Sequence, residues 1–439
     1  MVTSRVPLLL TGLALPGLVT PWPWLWLGGA ALVTAVLTGV DAALAAPLSG
    51  LRLSRTGDRQ VRFGGTATVR LRVGNRSTRP LRARVRDAWV PSAGAVSEPP
   101  ATQMLEIDPG TAVEVVTRLT PTRRGDRPAA LVTVRSYGPL GLAYRQTTRR
   151  RSRQLTPPWR LRTLPPFTSR RFLPEKLARL RVIEGQTAIR GRGQGTEFDS
   201  LREYVVGDDI RSIDWRATAR AEHVVVKNWR PERDRRVLCV LDTGRTSAAR
   251  VGDVPRLDAG IDAALLLAAV AAHAGDRVDL LAVDTRVRAS VSARGPHTLL
   301  PTLVDAVAPL EPVLSETDFG RVASEVLALA RRRSLVVLFT TLEPAALGAG
   351  LLPVLPRLLS RHQLLVASVR EPELDQLAAG RGSAAEVYTA AAAVKTLAVR
   401  QRVQTALTRY RVAVVEAPVE RFASAVADAY LDLKAAGRL

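Results

Sequence analysis

The densest set of residues able to do chemistry lies between positions 195 and 242. Glu197, Asp199, Arg202, Glu203, Asp208, Asp209, Arg211, Asp214, Arg216 and Arg220 bring both charge signs into one short span. Arginine–carboxylate pairs are directional and bidentate, so this run suits either a docking surface for a partner or an ion-pair-laced packing layer. Trp215, between Asp214 and Arg216, is expected to be a buried anchor. Just downstream, an apolar run over 237–241 stops at Asp242. A short apolar run bounded by charge reads as a strand buried on both faces of a parallel sheet. A carboxylate at the carboxyl end of such a strand stands where open α/β sheets bind their ligands.

Other chemistries find little support. Gly191, Gly193 and Gly195, with Arg192 between the first two, offer an anion cradle, but no Gly-Lys-Ser/Thr follows and a flexible loop is expected. His223, His273, His297 and His362 show no H-E-x-x-H spacing, and no G-x-S-x-G elbow occurs. The single cysteine, Cys239, sits inside the apolar run, which excludes an internal disulfide and a cysteine-based metal cluster.

The chain is long enough, at 439 residues, for two or three domains. Its net charge is +23, yet lysine occurs only at positions 176, 227, 395 and 434. The excess is therefore arginine, expected as solvated charge on many faces rather than as one nucleic-acid surface. No specific nucleic acid and no small-molecule substrate is indicated.

The elements that must position these residues follow in order. Residues 1–46 carry a long apolar region interrupted by Pro16, Pro21 and Pro23. It predicts a membrane hairpin with helices over 6–20 and from 24 to about 40, joined at a tight turn with Trp22, Trp24 and Trp26 as interfacial anchors. A cleaved signal peptide is the rival reading. Arg5 precedes the pair and Arg52, Arg55, Arg59 and Arg62 follow it, so both ends are expected in the cytoplasm and the protein in the plasma membrane. Asp41 is expected at the interface.

Residues 47–150 alternate apolar and polar side chains between turn signals, predicting a small β-sandwich, immunoglobulin-like in character. Residues 151–194 are expected to be a solvated basic Pro/Arg connector, with binding of anionic lipid or RNA as the alternative. From 237 onward apolar strands over 237–241, 278–283, 335–339, 364–369 and 412–415 alternate with helical patterns over 257–274, 297–307, 319–332, 345–360, 386–410 and 419–436. That alternation predicts an α/β doubly wound parallel sheet within a domain covering 195–439.

Residues 195–220 read G-T-E-F-x-x-L-R-E-Y-x-x-G-D-D-x-R-x-I-D-W-R-A-T-A-R. This resembles the signature of the bacterial membrane-protein family catalogued as domain of unknown function 58, and Glu197, Arg202, Tyr204, Asp208, Asp209, Arg211, Asp214, Trp215, Arg216 and Arg220 carry the likeness. Arg123 to Gly125, Tyr137 to Leu142 and the closing Tyr430 to Leu439 add weaker matches. The resemblance implies a von Willebrand factor A-like domain, whose divalent-cation site is built from D-x-S-x-S after the first strand, a loop threonine and a later aspartate. Asp242, Thr246 and Thr317 are the matching positions. Gly244 replaces a motif serine, Thr340-Thr341 stands where the second carboxylate is expected, and Arg245 adds a positive charge. Asp318 or Glu343 is the available substitute. Mg²⁺ is the cofactor such oxygen ligands suit, and here the site is expected to be degenerate. The resemblance also implies a partner, an AAA ATPase of the MoxR kind. The leading expectation is thus a non-catalytic, membrane-anchored interaction or assembly protein. An enzyme using the strand-end crevice, and a lipid- or nucleic-acid-binding module using the connector, are the alternatives.

Overall fold

The computed structural model describes residues 1–190, 197–206, 208–230, 235–292, 296–344 and 347–439, with side chains left aside at 186–190, 197–199, 228–230, 296–297 and 349. The chain divides into two compact units, Met1–Leu164 and Pro165–Leu439.

The first unit opens with helix α1 (Arg5–Ala14), a 3-10 turn (Leu15–Val19) and helix α2 (Pro23–Leu44). Pro16 removes the donor that would continue α1, so that helix has 10 residues and a length of about 15 Å. It is too short to span a bilayer. Only α2, among the described residues, begins a segment long and apolar enough to cross a membrane.

Ten strands follow: β1 (Leu51–Gly57), β2 (Gln60–Arg62), β3 (Ala67–Asn75), β4 (Leu81–Trp89), β5 (Ala95–Glu98), β6 (Leu105–Ile107), β7 (Ala112–Leu119), β8 (Gly125–Tyr137), β9 (Tyr144–Gln146) and β10 (Arg160–Leu164). They form a sheet in the order β1-β3-β7-β5 and a second in the order β2-β10-β8-β4-β6, with β9 on β8. Val69, Leu71 and Val73 alternate with more exposed neighbours in β3, and Leu71 and Val73 meet Leu81, Ala83, Val85, Val132 and Val134 in one core. Period-2 burial from both sheets therefore closes a sandwich. Helix α3 (Arg149–Leu155) and strand β10 lie where a solvated connector was expected. Leu161 and Thr163 are fully buried there, so the run that follows the arginines is structural.

The second unit begins with helix α4 (Leu173–Arg190). Lys176 on it is buried and bonds Asp428 at 2.8 Å, and Leu180 and Ile183 join the main core, again in the stretch read as linker. Strands β11 (Glu197–Glu203) and β12 (Val225–Arg230) pair antiparallel, with the short helix α5 (Trp215–Thr218) between them. The main sheet comprises β13 (Arg236–Asp242), β16 (Arg277–Val283), β17 (Val287–Ser292), β18 (Leu335–Phe339), β19 (Gln363–Val369) and β20 (Ala413–Ala417). The hairpin β14 (Arg250–Val251) and β15 (Val254–Pro255) stands apart from it.

The sheet order is β17-β16-β13-β18-β19-β20, all parallel except β17, an antiparallel edge strand the sequence did not reveal. Val237, Cys239 and Leu241 face one apolar core and Leu238 and Val240 the other, which is why β13 reads as an unbroken apolar run. Helices α6 (Arg256–His273), α7 (Pro296–Val307), α8 (Phe319–Leu329), α9 (Leu355–Leu359), α10 (Pro372–Ala379), α11 (Ala384–Arg409) and α12 (Val419–Ala435) complete the unit. The helix expected over 345–360 is broken: a π turn (Leu347–Leu351) and a 3-10 turn (Leu352–Val354) precede α9, where Pro353 and Pro356 interrupt a continuous ladder. Tyr430 on α12 donates to Asp276 at 2.6 Å and Lys434 bonds the same carboxylate at 2.9 Å, fixing the last helix to the end of α6.

Candidate functional site

Taken in chain order, the parallel strands β13, β16, β18, β19 and β20 lie second, first, third, fourth, fifth across the sheet, which puts the switch point between β13 and β18. Asp242 ends β13 and Thr340 directly follows β18, so the two side chains meet there. Thr340 Oγ1 donates to Asp242 Oδ2 at 2.6 Å. The Gly244 N–H donates to Oδ1 at 2.8 Å, the Thr317 hydroxyl donates to the same oxygen, and Thr246 Oγ1 reaches Oδ2 at 3.5 Å. Ser247 Oγ donates to the Asp242 carbonyl at 2.6 Å. Burial pushes the Asp242 carboxyl up, and the bonds from Thr317, Thr340, Gly244 and Thr246 offset only part of that.

The structure thus brings Asp242, Thr246 and Thr317 together and adds Thr340 and Ser247. The sequence marks Thr340 only as the place of a missing carboxylate; its position directly after a buried strand is the signal that it reaches Asp242. Gly244 has a steric reason. A Cβ there would fall 2.1 Å from the Thr317 hydroxyl, so the serine of the metal motif has no room while Thr317 holds Asp242.

Arg245 turns outward to pair with Glu316 at 2.7 Å. Neither substitute carboxylate bonds Asp242's ring of donors: Asp318 caps α8 by accepting from the Arg321 N–H at 2.9 Å, and Glu343 acts on Arg245 and Arg256 as a nearby charge. The neighbouring Asp284 is buried, accepts from Thr243 at 2.9 Å and is clasped by Arg288. Burial would raise its carboxyl, but the Arg288, Thr243 and Arg286 bonds together hold it at about 2. Among the described residues no three His, Cys, Asp or Glu side chains converge as a metal cluster would require.

The cavity beside Asp242, lined also by Arg256, Gly260, Thr340 and Phe422, has about 20 Å³ for the centre of a water molecule. That is room for a water and nothing larger. Arg256 lines it while donating to the Thr246 carbonyl at 3.1 Å and pairing with Glu371. A wider trough of about 720 Å³ runs beside β20, and most of its charges are paired: Arg370 with Asp375, Arg400 with Glu371 and Asp432 with Arg179.

The hairpin β11–β12 is built differently. Arg202 makes a two-pronged bond to Asp208 at 2.7 and 2.6 Å, and Asp208 also accepts from the Val205 N–H. Asp209 caps a turn by accepting from the Arg211 N–H, and Tyr204 is held through its N–H on the Val224 carbonyl. Asp214 accepts from Arg216 and Ala217 at the start of α5 and pairs with Lys227 at 3.2 Å. The Ala217 N–H first and Lys227 next hold its carboxyl below the usual range. The polar groups are thus largely spent within the loop, while the apolar ones face out. Val206 is 95% exposed, Ile210 67% and Trp215 65%, with Leu201 and Val205 beside them. Trp215 is therefore not a buried anchor: it opens the four-residue helix α5 with its side chain outward, while Val225 and Val226 of β12 are the buried apolar residues of the hairpin. The side chains of Arg211, Arg216 and Arg220 are exposed, that of Glu197 lies outside the described set, and Gly191, Arg192, Gly193 and Gly195 lie outside the described residues.

Residues 200–413 match a family described as Protein of unknown function DUF58. The matched span holds most of the hairpin and the sheet as far as the start of β20. The chain is also similar, at 27% identity over 185 residues, to the uncharacterized proteins Mb1516 of Mycobacterium bovis and Rv1480 of Mycobacterium tuberculosis. The match covers 41% of this chain and 56% of each relative, so the chain spans little more than half their length. A solved FixG-related protein from Vibrio parahaemolyticus aligns with 26% of this chain and 96% of its own at 11% identity, with a TM-score of 0.18.

Proposed function

We propose that this protein is a membrane-anchored, non-catalytic interaction protein that docks a partner through the β11–β12 hairpin of its DUF58 segment. The observation that carries this reading is the outward apolar set Leu201, Val205, Val206, Ile210 and Trp215, on a loop where Asp208, Asp209 and Asp214 are occupied by internal caps and ion pairs. Exposed apolar side chains that include a tryptophan, interspersed in sequence with arginines, have the composition of interface hot spots. Arg211, Arg216 and Arg220 are the exposed arginines of this loop. The sheet unit is von Willebrand A-like in this reading, and Asp242 is a structural tie rather than a resident metal site. The small cavity beside it favours docking over turnover. The partner is an AAA ATPase of the MoxR kind, and the sheet unit faces the cytoplasm.

The test is binding of the purified full chain to a purified MoxR-type ATPase from the same source, read by biolayer interferometry. Val206→Asp with Trp215→Ala is expected to weaken binding by about tenfold or more, with an unchanged melting temperature. Absence of binding by the unaltered chain, or equal binding by the double variant, overturns the assignment.

A further inference from the structure

Helix α2 ends against the β-sandwich in an unusual set of contacts. Asp41, fully buried, accepts from the N–H groups of Leu140, Leu142 and Ala143 at 2.7, 2.7 and 2.8 Å. A Cβ at Gly138 would come within 2.3 Å of Asp41, so only glycine lets the turn approach this closely. The helix end is thereby welded to the β8–β9 turn.

Arg82 donates to the Pro139 carbonyl of that turn at 3.2 Å but is already paired with Glu106; four further arginines stand around the weld, from four separate parts of the first unit. Arg79 donates to the Ala43 carbonyl at 2.6 Å, Arg145 to Ala42 at 3.1 Å and Arg151 to Leu48 at 3.2 Å. A guanidinium nitrogen of Arg5 sits 2.8 Å from where a Gly141 Cβ would be. All four are exposed. Cations at a helix C-terminus answer its unpaired carbonyls, which accounts for one N–H each from Arg79 and Arg145, while Arg151 spends one on the Leu48 carbonyl just beyond the helix. A guanidinium has five N–H donors, so most of the donor capacity of this ring is turned outward.

The ring also stands at a defined level. The outward face of α2 is apolar from Leu25 through Leu32, Val36 and Val40 to Leu44, where the apolar surface stops. Trp22, Trp24 and Trp26 mark the opposite end. Between these two limits α2 has 22 residues and a length of about 33 Å, close to the hydrocarbon thickness of a bilayer. An apolar rod with tryptophans at one end and a ring of arginines at the other places the ring among lipid headgroups.

We propose that Arg5, Arg79, Arg145 and Arg151 form a collar that binds the phosphates of anionic phospholipids at the C-terminal end of α2. Guanidinium forks match phosphate oxygens two at a time, and backbone bonds hold those of Arg79, Arg145 and Arg151 in place before any lipid arrives. The collar rests on the reading of α2 as a membrane anchor. It differs from the basic connector considered above, because α3 and β10 fold that stretch into the sandwich and only Arg151 from it joins the ring.

The experiment uses the full chain, ejected from mixed micelles containing equal phosphatidylglycerol and phosphatidylcholine and analysed by native mass spectrometry. Membrane integration is read separately by alkaline carbonate extraction. A surface arginine contributes about fivefold to anionic-lipid affinity, so phosphatidylglycerol adducts are expected to exceed phosphatidylcholine adducts by at least about tenfold. The quadruple variant R5Q/R79Q/R145Q/R151Q should bring the ratio close to one. The matching lysine variant, which keeps the charge, should retain part of the preference and controls for loss of fold. Equal adducts on the unaltered chain, or a preference that survives the quadruple glutamine variant, overturn the collar. Release of the chain by carbonate overturns the anchor reading instead, and leaves the headgroup preference to stand or fall on its own ratio.

Discussion

Gly244 and Thr317 occupy one space: a side chain on the first would fall 2.1 Å from the hydroxyl of the second. Thr317 wins that space and uses it to donate to Asp242. The carboxylate is therefore satisfied from within, by the Thr317 and Thr340 hydroxyls and the Gly244 N–H.

Gly244→Ala is accordingly expected to displace Thr317 and destabilise the second unit by about 1–3 kcal/mol, the usual cost of overpacking. Thermal melting of the full chain in detergent reads this. Pairing the change with Thr317→Ala should recover part of the loss, and an additive double variant would show that the two positions do not compete.

Magnesium binding is expected to be absent below millimolar concentrations. Mg²⁺ gives up its waters reluctantly and needs carboxylate charge. Asp242 supplies one carboxylate, and the hydroxyls around it are committed as donors. Calorimetric titration of the full chain measures it. Micromolar binding that disappears in Asp242→Ala would restore a working adhesion-type site.

Asp284 gives the pH dependence its sign. Its folded carboxyl lies at about 2, below the ordinary 3.8. The fold favours the ionised form, so its contribution is fully present above 3.8 and is lost as pH falls through about 2. Asp284→Asn is expected to cost on the order of 2 kcal/mol near neutrality and progressively less as the medium is acidified across that window. Denaturant unfolding of both proteins over a pH series checks it; a constant difference would remove Asp284 from the linkage.

Asp41→Ala should be among the most damaging single changes in the first unit. It strands three N–H groups in a buried turn, at about 1–3 kcal/mol for each unsatisfied donor. Limited proteolysis within residues 138–143 should become rapid in the variant. Asp41→Asn, which keeps one acceptor oxygen, should fall between it and the unaltered chain.

The α/β character of the second unit was legible because a strand covered on both faces leaves an unmistakable trace: the apolar run over 237–241 needs no partner to be recognised. The sandwich was legible for the complementary reason, since Val69, Leu71 and Val73 alternate with polar residues. What escaped depended on the third dimension. Strand β10 hides in a Pro- and Arg-rich stretch because only Leu161 and Thr163 are buried. Trp215 suggests a core residue by type alone, yet the buried apolar positions of the hairpin are Val225 and Val226 instead. Thr340 looked like a lost ligand because one sequence position cannot say whether a hydroxyl donates to a carboxylate or accepts a cation. Arg245 looked like a charge at the site, and a single bond to Glu316 turns it away.

Cys239 stands mid-strand in β13, with Leu280 of β16 and Val337 of β18 as its neighbours in register. It is the chain's one sulfhydryl, and burial pushes it up to about 12, so the native sheet presents nothing for an alkylating reagent to meet. Modification can then proceed only through molecules whose central strand has come free. The rate at which a maleimide or iodoacetamide is consumed becomes a direct count of such openings, reported from the middle of the sheet without any label having to be introduced.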